Sequence, residues 1–288
     1  MLQAVVDSGG YAQAAEKLHR SQSSVSYTIA RLQEQVGVPL LVIEGRKAQL
    51  TETGTALLRR SRRLVDDALE LEKLAGNLAD GWEPEVRLVV DAAFPVDSLM
   101  SALKMFAPIS RGTRVQLQEV VLSGAEEALE DGSADLAVGA EVPAGFLGDA
   151  LLEIEFVAVA HAEHPLHHLG RAVTANDLRR EIQVVIRDSG LYRKKDVGWL
   201  GAEYRWTVTS IDTAVTTVCS GLGFGWLPRH QIREAVSRGI VKALPMRAGG
   251  VRKAYLYLIF GRREKVGPAT QQLAESLRRA VGGDPGLV

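Results

Sequence analysis

Between Ser21 and Arg31 the chain sets Ser21, Gln22, Ser23, Ser24, Ser26, Tyr27, Thr28 and Arg31 among the apolar residues Val25 and Ile29, with Leu32 and Val36 following. The apolar set recurs at helical spacing and predicts one buried stripe, with hydroxyls, an amide, a phenol and a guanidinium on the other side. A helix used only for packing normally carries Glu and Lys outward. Small donors and acceptors with one Arg instead suit close approach to base edges. Ser21 fits the N-cap, where its oxygen can accept a backbone N–H of the first turn.

A second group of residues could hold a small molecule. Asp91 and Phe94 follow the apolar run Val86–Val90; Arg187, Asp188 and Ser189 follow Ile182–Ile186; Thr209 and Ser210 follow a third such run. In parallel sheets ligands sit at these strand ends, near helix N-termini whose free N–H groups suit anions. Arg187 is the candidate partner for a carboxylate, with Ser189 and Ser210 as hydrogen-bond donors. Asp91 favours an amine or hydroxyl, and Phe94 with Trp199 offers an apolar wall. The plainer alternative is that Arg187 and Asp188 neutralise one another and Ser210 only caps a helix.

Other features weaken on inspection. His161, His164, His167 and His168 are four of six histidines, yet no carboxylate cluster accompanies them, so no metal is expected. Gly221-Leu-Gly223-Phe-Gly225 follows a helix, where a phosphate loop follows a strand, and reads as a helix end turning into strand. Asp188-Ser189-Gly190 lacks the setting of a hydrolase nucleophile. No catalytic residues are assigned, and an enzyme is not expected.

The elements that must position these residues follow from the pattern. Tyr11–Leu18 reads as a short helix whose small Ala15 lets the Ser21 helix cross closely, a helix-turn-helix. Gly37-Val38-Pro39 ends the second helix. Gly45-Arg46-Lys47 with Gln49-Leu50-Thr51 predicts a hairpin wing, its Arg46 and Lys47 placed for phosphate or the minor groove. Residues 1–65 hold nine Lys or Arg against five Asp or Glu, a local positive bias that the chain's total of −1 conceals. Leu57, Leu64, Leu71 and Leu78 then recur every seventh residue, with Ser61, Ala68 and Ala75 between them. That seam predicts a helix, roughly 39 Å long, that seeks a partner helix. Asp80-Gly81-Trp82-Glu83-Pro84 breaks it and is expected to form a hinge. Beyond Glu85, strands and helices alternate as in a mainly parallel sheet, in two blocks joined by two crossings, which makes a ligand-binding cleft.

The run Ala14-Ala15-Glu-Lys-Leu18-His-Arg-Ser21-Gln22-Ser-Ser-Val25-Ser26, then Ile29, Arg31-Leu32, Val36-Gly37-Val38-Pro39-Leu40 and Leu50-Thr51-Glu-Thr-Gly54, resembles LysR-type transcriptional regulators. The family usually has Phe and, two residues on, Arg where this chain has Leu41 and Ile43, a departure at one wing phosphate contact that Arg46 and Lys47 could offset. It also begins about eight residues earlier, so the first helix is expected to be short or its start truncated. The resemblance implies an N-terminal all-α winged helix-turn-helix (1–52) and a linker helix that pairs subunits (53–80). It further implies a C-terminal α/β two-lobed effector domain (85–288) similar to type 2 periplasmic binding proteins. Lobe 1 is expected at about 85–156 and 254–288, and lobe 2 at about 160–250. The implied function is ligand-responsive, sequence-specific promoter binding by a homodimer or tetramer, activating or repressing, with RNA polymerase as a further partner. The alternative is an α/β solute-binding or enzymatic protein with an incidental helical N-terminus, which a secretion signal or catalytic triad would have favoured.

Composition frames this reading. At 288 residues, 46% hydrophobic and with mean hydropathy +0.01, the chain is expected to be a soluble protein of about two domains. No apolar run reaches the roughly 18 residues of a membrane span, and the N-terminus is unlike a signal peptide, so a cytoplasmic location is expected. One cysteine, Cys219, excludes intrachain disulfides and a two-cysteine redox sensor within the chain. Its apolar helical surroundings predict burial. No cofactor beyond a small-molecule effector is expected.

Overall fold

The computed structural model describes residues 1–44, 47–261 and 266–282. The chain divides into two compact units, Met1–Gly76 and Asn77–Val288.

In the first unit α1 (Leu2–Asp7), α2 (Tyr11–Lys17) and α3 (Gln22–Val36) precede the strands β1 (Leu41–Glu44) and β2 (Lys47–Leu50), and α4 (Glu52–Ala79) follows. Val5, Ala14, Val25, Ile29, Leu40 and Leu58 close the core between them. The wing is antiparallel, from Leu41 opposite Leu50 to Glu44 opposite Lys47. Gln33 orients its entry: its Oε1 accepts the N–H of Leu40 at 2.8 Å and of Leu41 at 3.0 Å. Thr51 ties the exit, its hydroxyl donating to Pro39 O and accepting from Gly54 N, each at 2.8 Å. Val36, assigned to the buried stripe by periodicity, is 42% exposed; the helix ends at Gly37, and its last turn runs past the core.

In the second unit the elements are β3 (Glu85–Asp91), α5 (Val96–Phe106), β4 (Arg114–Val120), α6 (Gly124–Glu130), β5 (Leu136–Gly139), β6 (Gly148–His161), α7 (Ala175–Arg179), β7 (Ile182–Ile186), β8 (Tyr204–Val208), α8 (Ile211–Cys219), β9 (Phe224–Pro228), α9 (Arg233–Ser237), β10 (Val241–Ala243), β11 (Val251–Phe260) and α10 (Pro268–Gly282). The strands form one sheet in the order β4-β3-β5-β11-β6-β9-β7-β8, with β10 on β6. β3, β4 and β5 pair in parallel, as do β9, β7 and β8. The two parallel groups are joined by the long antiparallel pair β6 and β11, which makes two lobes sharing a spine.

β6 and β11 both begin earlier than the hydrophobic runs Phe156–Ala160 and Ala254–Phe260 suggest. Their extra residues carry charges that pair across the strands, Lys253 Nζ lying 2.6 Å from Glu153 and 3.8 Å from Glu155. Such paired charges hide a strand from a hydrophobicity reading. The segment expected as a hinge is tied into lobe 1. Trp82 donates to Ser110 O at 2.9 Å and to Thr113 Oγ1 at 2.8 Å, and the Glu83 carboxylate accepts the N–H groups of Ala269 and Thr270 at the start of α10. Trp82 and Glu83 therefore belong to lobe 1, as do Asn77, which donates to Arg111 O at 3.0 Å, and Asp80, 3.5 Å from Arg111.

Candidate nucleic-acid interface and interlobe cleft

Helix α3 buries Val25 and Ile29 and exposes the opposite face. Ser21, Gln22, Ser23, Ser26, Tyr27, Thr28 and Arg31 are exposed, and Ser24 is half-buried. Tyr27 is 67% exposed, which for an aromatic residue on a folded helix leaves a large apolar ring for a partner. Ser21 is the N-cap, accepting the Ser24 N–H at 3.2 Å while its hydroxyl meets that of Ser23 at 3.0 Å. Thr28 donates back to Ser24 O at 2.8 Å, which leaves its methyl and an oxygen lone pair outward. Of the wing residues singled out above, Arg46 and the side chain of Lys47 lie outside the described residues.

Along α4 the predicted seam is open. Leu64, Leu71 and Leu78 are 69%, 67% and 49% exposed, and Val65, Leu69 and Leu74 add to the uncovered apolar surface. Leu57, the first of the heptad leucines, differs from the rest: it packs on the winged-helix core. Arg62 binds Asp7 of α1 at 3.0 Å, so the start of α4 is held to its own unit while its later turns present unpartnered leucines.

The cleft between the lobes of the second unit contains a cavity of about 110 Å³, lined by Asp91 and Leu122 from lobe 1, by Gln183, Ile186 and Ile211 from lobe 2, and by Trp199, Trp226 and Arg252. Asp91 is buried, its Oδ1 accepting from Ala93 N at 2.8 Å and its Oδ2 from Leu122 N at 3.2 Å. Burial pushes its carboxyl up to about 6, against the pull of those two N–H groups and with a further push from Asp188. Gln183 Nε2 donates to Trp199 O at 2.7 Å, but its buried Oε1 has no partner among the described residues.

One flank of the cleft is clasped shut by the segment after β7. Ser189 Oγ accepts from Val121 N at 2.9 Å and donates to Val121 O at 3.1 Å. Asp188 accepts from Ser123 N and Oγ and also from Gly190 N and Lys195 N. Glu127 of α6 takes three consecutive N–H groups, those of Leu191, Tyr192 and Arg193, at 2.7 to 2.9 Å. These contacts hold its carboxyl below the usual range, the backbone N–H groups more than the charge of Arg193. Lys195 Nζ reaches Glu126 at 2.5 Å and Glu141 at 2.7 Å. Gly190 permits this approach, since a β-carbon there would collide with Ser123 Oγ and the Glu127 carboxylate.

Against this geometry the chain was compared with known proteins. Residues 1–55 match the model of the bacterial regulatory helix-turn-helix protein, lysR family, and residues 79–282 match the LysR substrate binding domain. The chain belongs to the LysR family of transcriptional regulators. The uncharacterized HTH-type transcriptional regulator YeeY of Escherichia coli (strain K12) is 33% identical over 248 residues, 83% of this chain and 79% of its own. Full-length LysG of Corynebacterium glutamicum with bound effector Arg shares the fold at a TM-score of 0.54 and 21% identity, over 97% of this chain and 95% of that one. CrgA of Neisseria meningitidis does so at 0.54 and 19%, over 98% of both chains. This LysR-type protein is thus a ligand-responsive, DNA-binding transcriptional regulator whose second unit is the effector-binding domain.

The LysR effector domain brings only some of the expected ligand residues together. Asp91 and Trp199 line the cleft, and Asp188 and Ser189 stand at its clasped flank, hydrogen-bonded to lobe 1. Phe94 does not form a wall: it is 2% exposed within the lobe 1 core, because the turn that follows Asp91 directs it under α5 and α10. Arg187 is exposed and outside the cavity lining; it lies just past the end of β7, where its N–H donates to Val208 O at 2.8 Å while the next residue, Asp188, turns inward to Ser123. Thr209 and Ser210 are exposed, and Ser210 caps α8 by accepting from Thr213 N at 3.1 Å. Sequence reasoning missed Gln183, Trp226 and Arg252. Arg252 lies in a charged stretch with no motif, and only the strand pairing carries it into the cleft. Of the histidines, His164 accepts from Leu166 N at 3.2 Å and faces Glu181 at 3.8 Å. Among the described residues no three His, Cys, Asp or Glu side chains are arranged to hold a metal, and no helix is long and apolar enough to cross a membrane. Cys219 is half-buried at the end of α8, and burial raises its thiol pKa.

Proposed function

We propose that α3 enters the major groove of an operator and reads base edges with Gln22, Ser23, Ser26, Tyr27, Thr28 and Arg31. Ser21 and Ser24 set the first turn against the backbone, and Arg46 and Lys47 of the wing meet phosphate. The observation that carries this is the exposed face of α3 from Ser21 to Arg31, a stretch without acidic residues, over a closed core. Leu64, Leu71 and Leu78 pair α4 with that of a second subunit, and the spacing of two reading helices then selects two half-sites. In this reading residues 1–52, 53–80 and 85–288 are the DNA-binding, pairing and effector segments, and the protein acts in the cytoplasm, on promoters where RNA polymerase is the further partner. An effector in the interlobe cleft favours one arrangement of the lobes and so shifts the population of DNA-engaged states.

The test is a fluorescence-anisotropy titration against the DNA upstream of the protein's own coding sequence, with random DNA as competitor, at two salt concentrations. Binding about a thousandfold tighter than to random sequence is expected. Weak binding, equal on both DNAs and abolished by salt, would reduce α3 to phosphate attraction.

A further inference from the structure

Arg252 on β11 is a partly buried cation at the border of the interlobe cavity. Its Nε is fully shielded and has no hydrogen-bond partner among the described residues, and no Asp or Glu forms an ion pair with it there. Its visible companion is the ring of Trp226, whose centroid lies 5.6 Å from the guanidinium carbon. Arg252 is half-buried, and that burial lowers its pKa with no anion to offset it among the described residues. The chain passes over it at Gly198, where φ is +97° and a β-carbon would collide with the guanidinium. The fold thus makes room for this cation and leaves it uncompensated.

Arg252 also borders a second, larger space. Beside the Trp199 and Trp226 rings, whose centroids are 6.0 Å apart, lobe 2 has a half-open chamber of about 480 Å³, within the usual size of small-molecule sites. Trp199, Trp226, Met246 and Leu178 supply apolar walls, Arg171, Arg247 and Arg252 supply the cations, and among the described residues no Asp or Glu lines it. Arg171 is already committed to Asp177, at 2.7 Å. The interlobe cavity of about 110 Å³ is small for a ligand by itself, and it shares Trp199, Trp226 and Arg252 with the chamber.

We propose that the lobe 2 chamber is a ligand site for an aromatic monocarboxylate, its carboxylate gripped by Arg252 and its ring laid against Trp199 and Trp226. A phosphate would leave the aromatic and methionine walls unused, whereas a planar apolar acid satisfies both the cation and the walls. The proposal rests on the ligand-responsive reading above and names the chemistry of its effector. It also joins occupancy to the clasp, because Gly198 and Trp199 lie on the same segment that Glu127 and Ser123 hold to lobe 1.

The experiment is tryptophan fluorescence and calorimetric titration of the full chain, without DNA, with benzoate, 1-naphthoate and indole-3-acetate, and with the neutral amide of each. At least one acid is expected to bind about tenfold or more tightly than its amide, the scale of one charge-assisted contact. Arg252→Met should abolish that preference, and Arg187→Ala should leave it intact. Ala248→Trp, at the exposed chamber rim, should weaken the acid without altering the cation, which keeps the test open if Arg252→Met folds poorly. Failure of every acid to bind, equal binding of acid and amide, or acid preference that survives Arg252→Met would overturn the proposal. If the acid binds through Arg252 but leaves the operator complex unchanged, the site stands and the ligand-responsive reading of it falls.

Discussion

The two functional regions of this LysR-type regulator are built on opposite plans. The proposed reading face spans residues 21 to 31, lies on one helix and carries its chemistry exposed to solvent. The effector region draws Asp91, Gln183, Trp199, Trp226 and Arg252 from distant strands and loops and shields them. An exposed donor is satisfied by water until DNA replaces it, so α3 needs no internal partners. A shielded one must be balanced by the fold or by a ligand. Asp91 is balanced by two backbone N–H groups; Arg252 and the Oε1 of Gln183 are not. The comparison teaches that unpaired polarity is uninformative on the reading helix and diagnostic in the cleft.

The contrast can be tested from the strongest expected effect downward. Leu64→Glu with Leu71→Glu should make the protein monomeric in analytical ultracentrifugation and lower operator affinity by roughly a hundredfold or more, the loss expected when two linked sites bind singly; a variant that stays dimeric would place pairing elsewhere. Arg31→Ala, with all its local structure intact, should cost roughly 1–3 kcal/mol of operator affinity and relax discrimination at one base pair. An unchanged titration on specific DNA would remove it from the readout.

In the cleft the effects are on stability and local opening. Because the folded pKa of Asp91 is raised from 3.8 to about 6, the native state holds that proton more tightly than the unfolded chain. Its contribution of roughly 3 kcal/mol is present below about pH 4 and is lost as pH rises through about 6. Denaturant titrations across that window should show the slope, and Asp91→Asn should flatten it; an identical slope in the variant would assign it to another group. Glu127 has the opposite sign: its carboxyl is held low, so the clasp is intact at neutral pH and loosens as pH falls through the folded value. Glu127→Gln should speed amide exchange at Leu191, Tyr192 and Arg193 without moving the reading helix, and unchanged exchange there would show that Asp188 and Ser189 suffice to hold the segment.

How far each region could be read in advance follows from the same contrast. The spacing of Val25 and Ile29, the Ser21 cap and the Leu57–Leu78 heptad are local patterns, with interaction partners within one or two helical turns, so sequence alone determined the helix proposed to read DNA, the long helix α4 and the βα succession of the effector domain. Even there, exposure of Val36 and partial burial of Leu57 depended on where the core ended. In the effector domain, turns after strands could be recognised, but the direction of each side chain could not. Hydrogen bonds to Ser123 of lobe 1 turned Asp188 inward and left Arg187 outside, and core packing drew Phe94 away from the cleft. The pairing of β11 with β6 brought Arg252 to Trp226 across a stretch of sequence that carries no motif. A strand's neighbours are chosen by long-range pairing and one residue of register reverses every side chain, so the composition of the cleft, its clasp and its uncompensated arginine were decided by the tertiary structure.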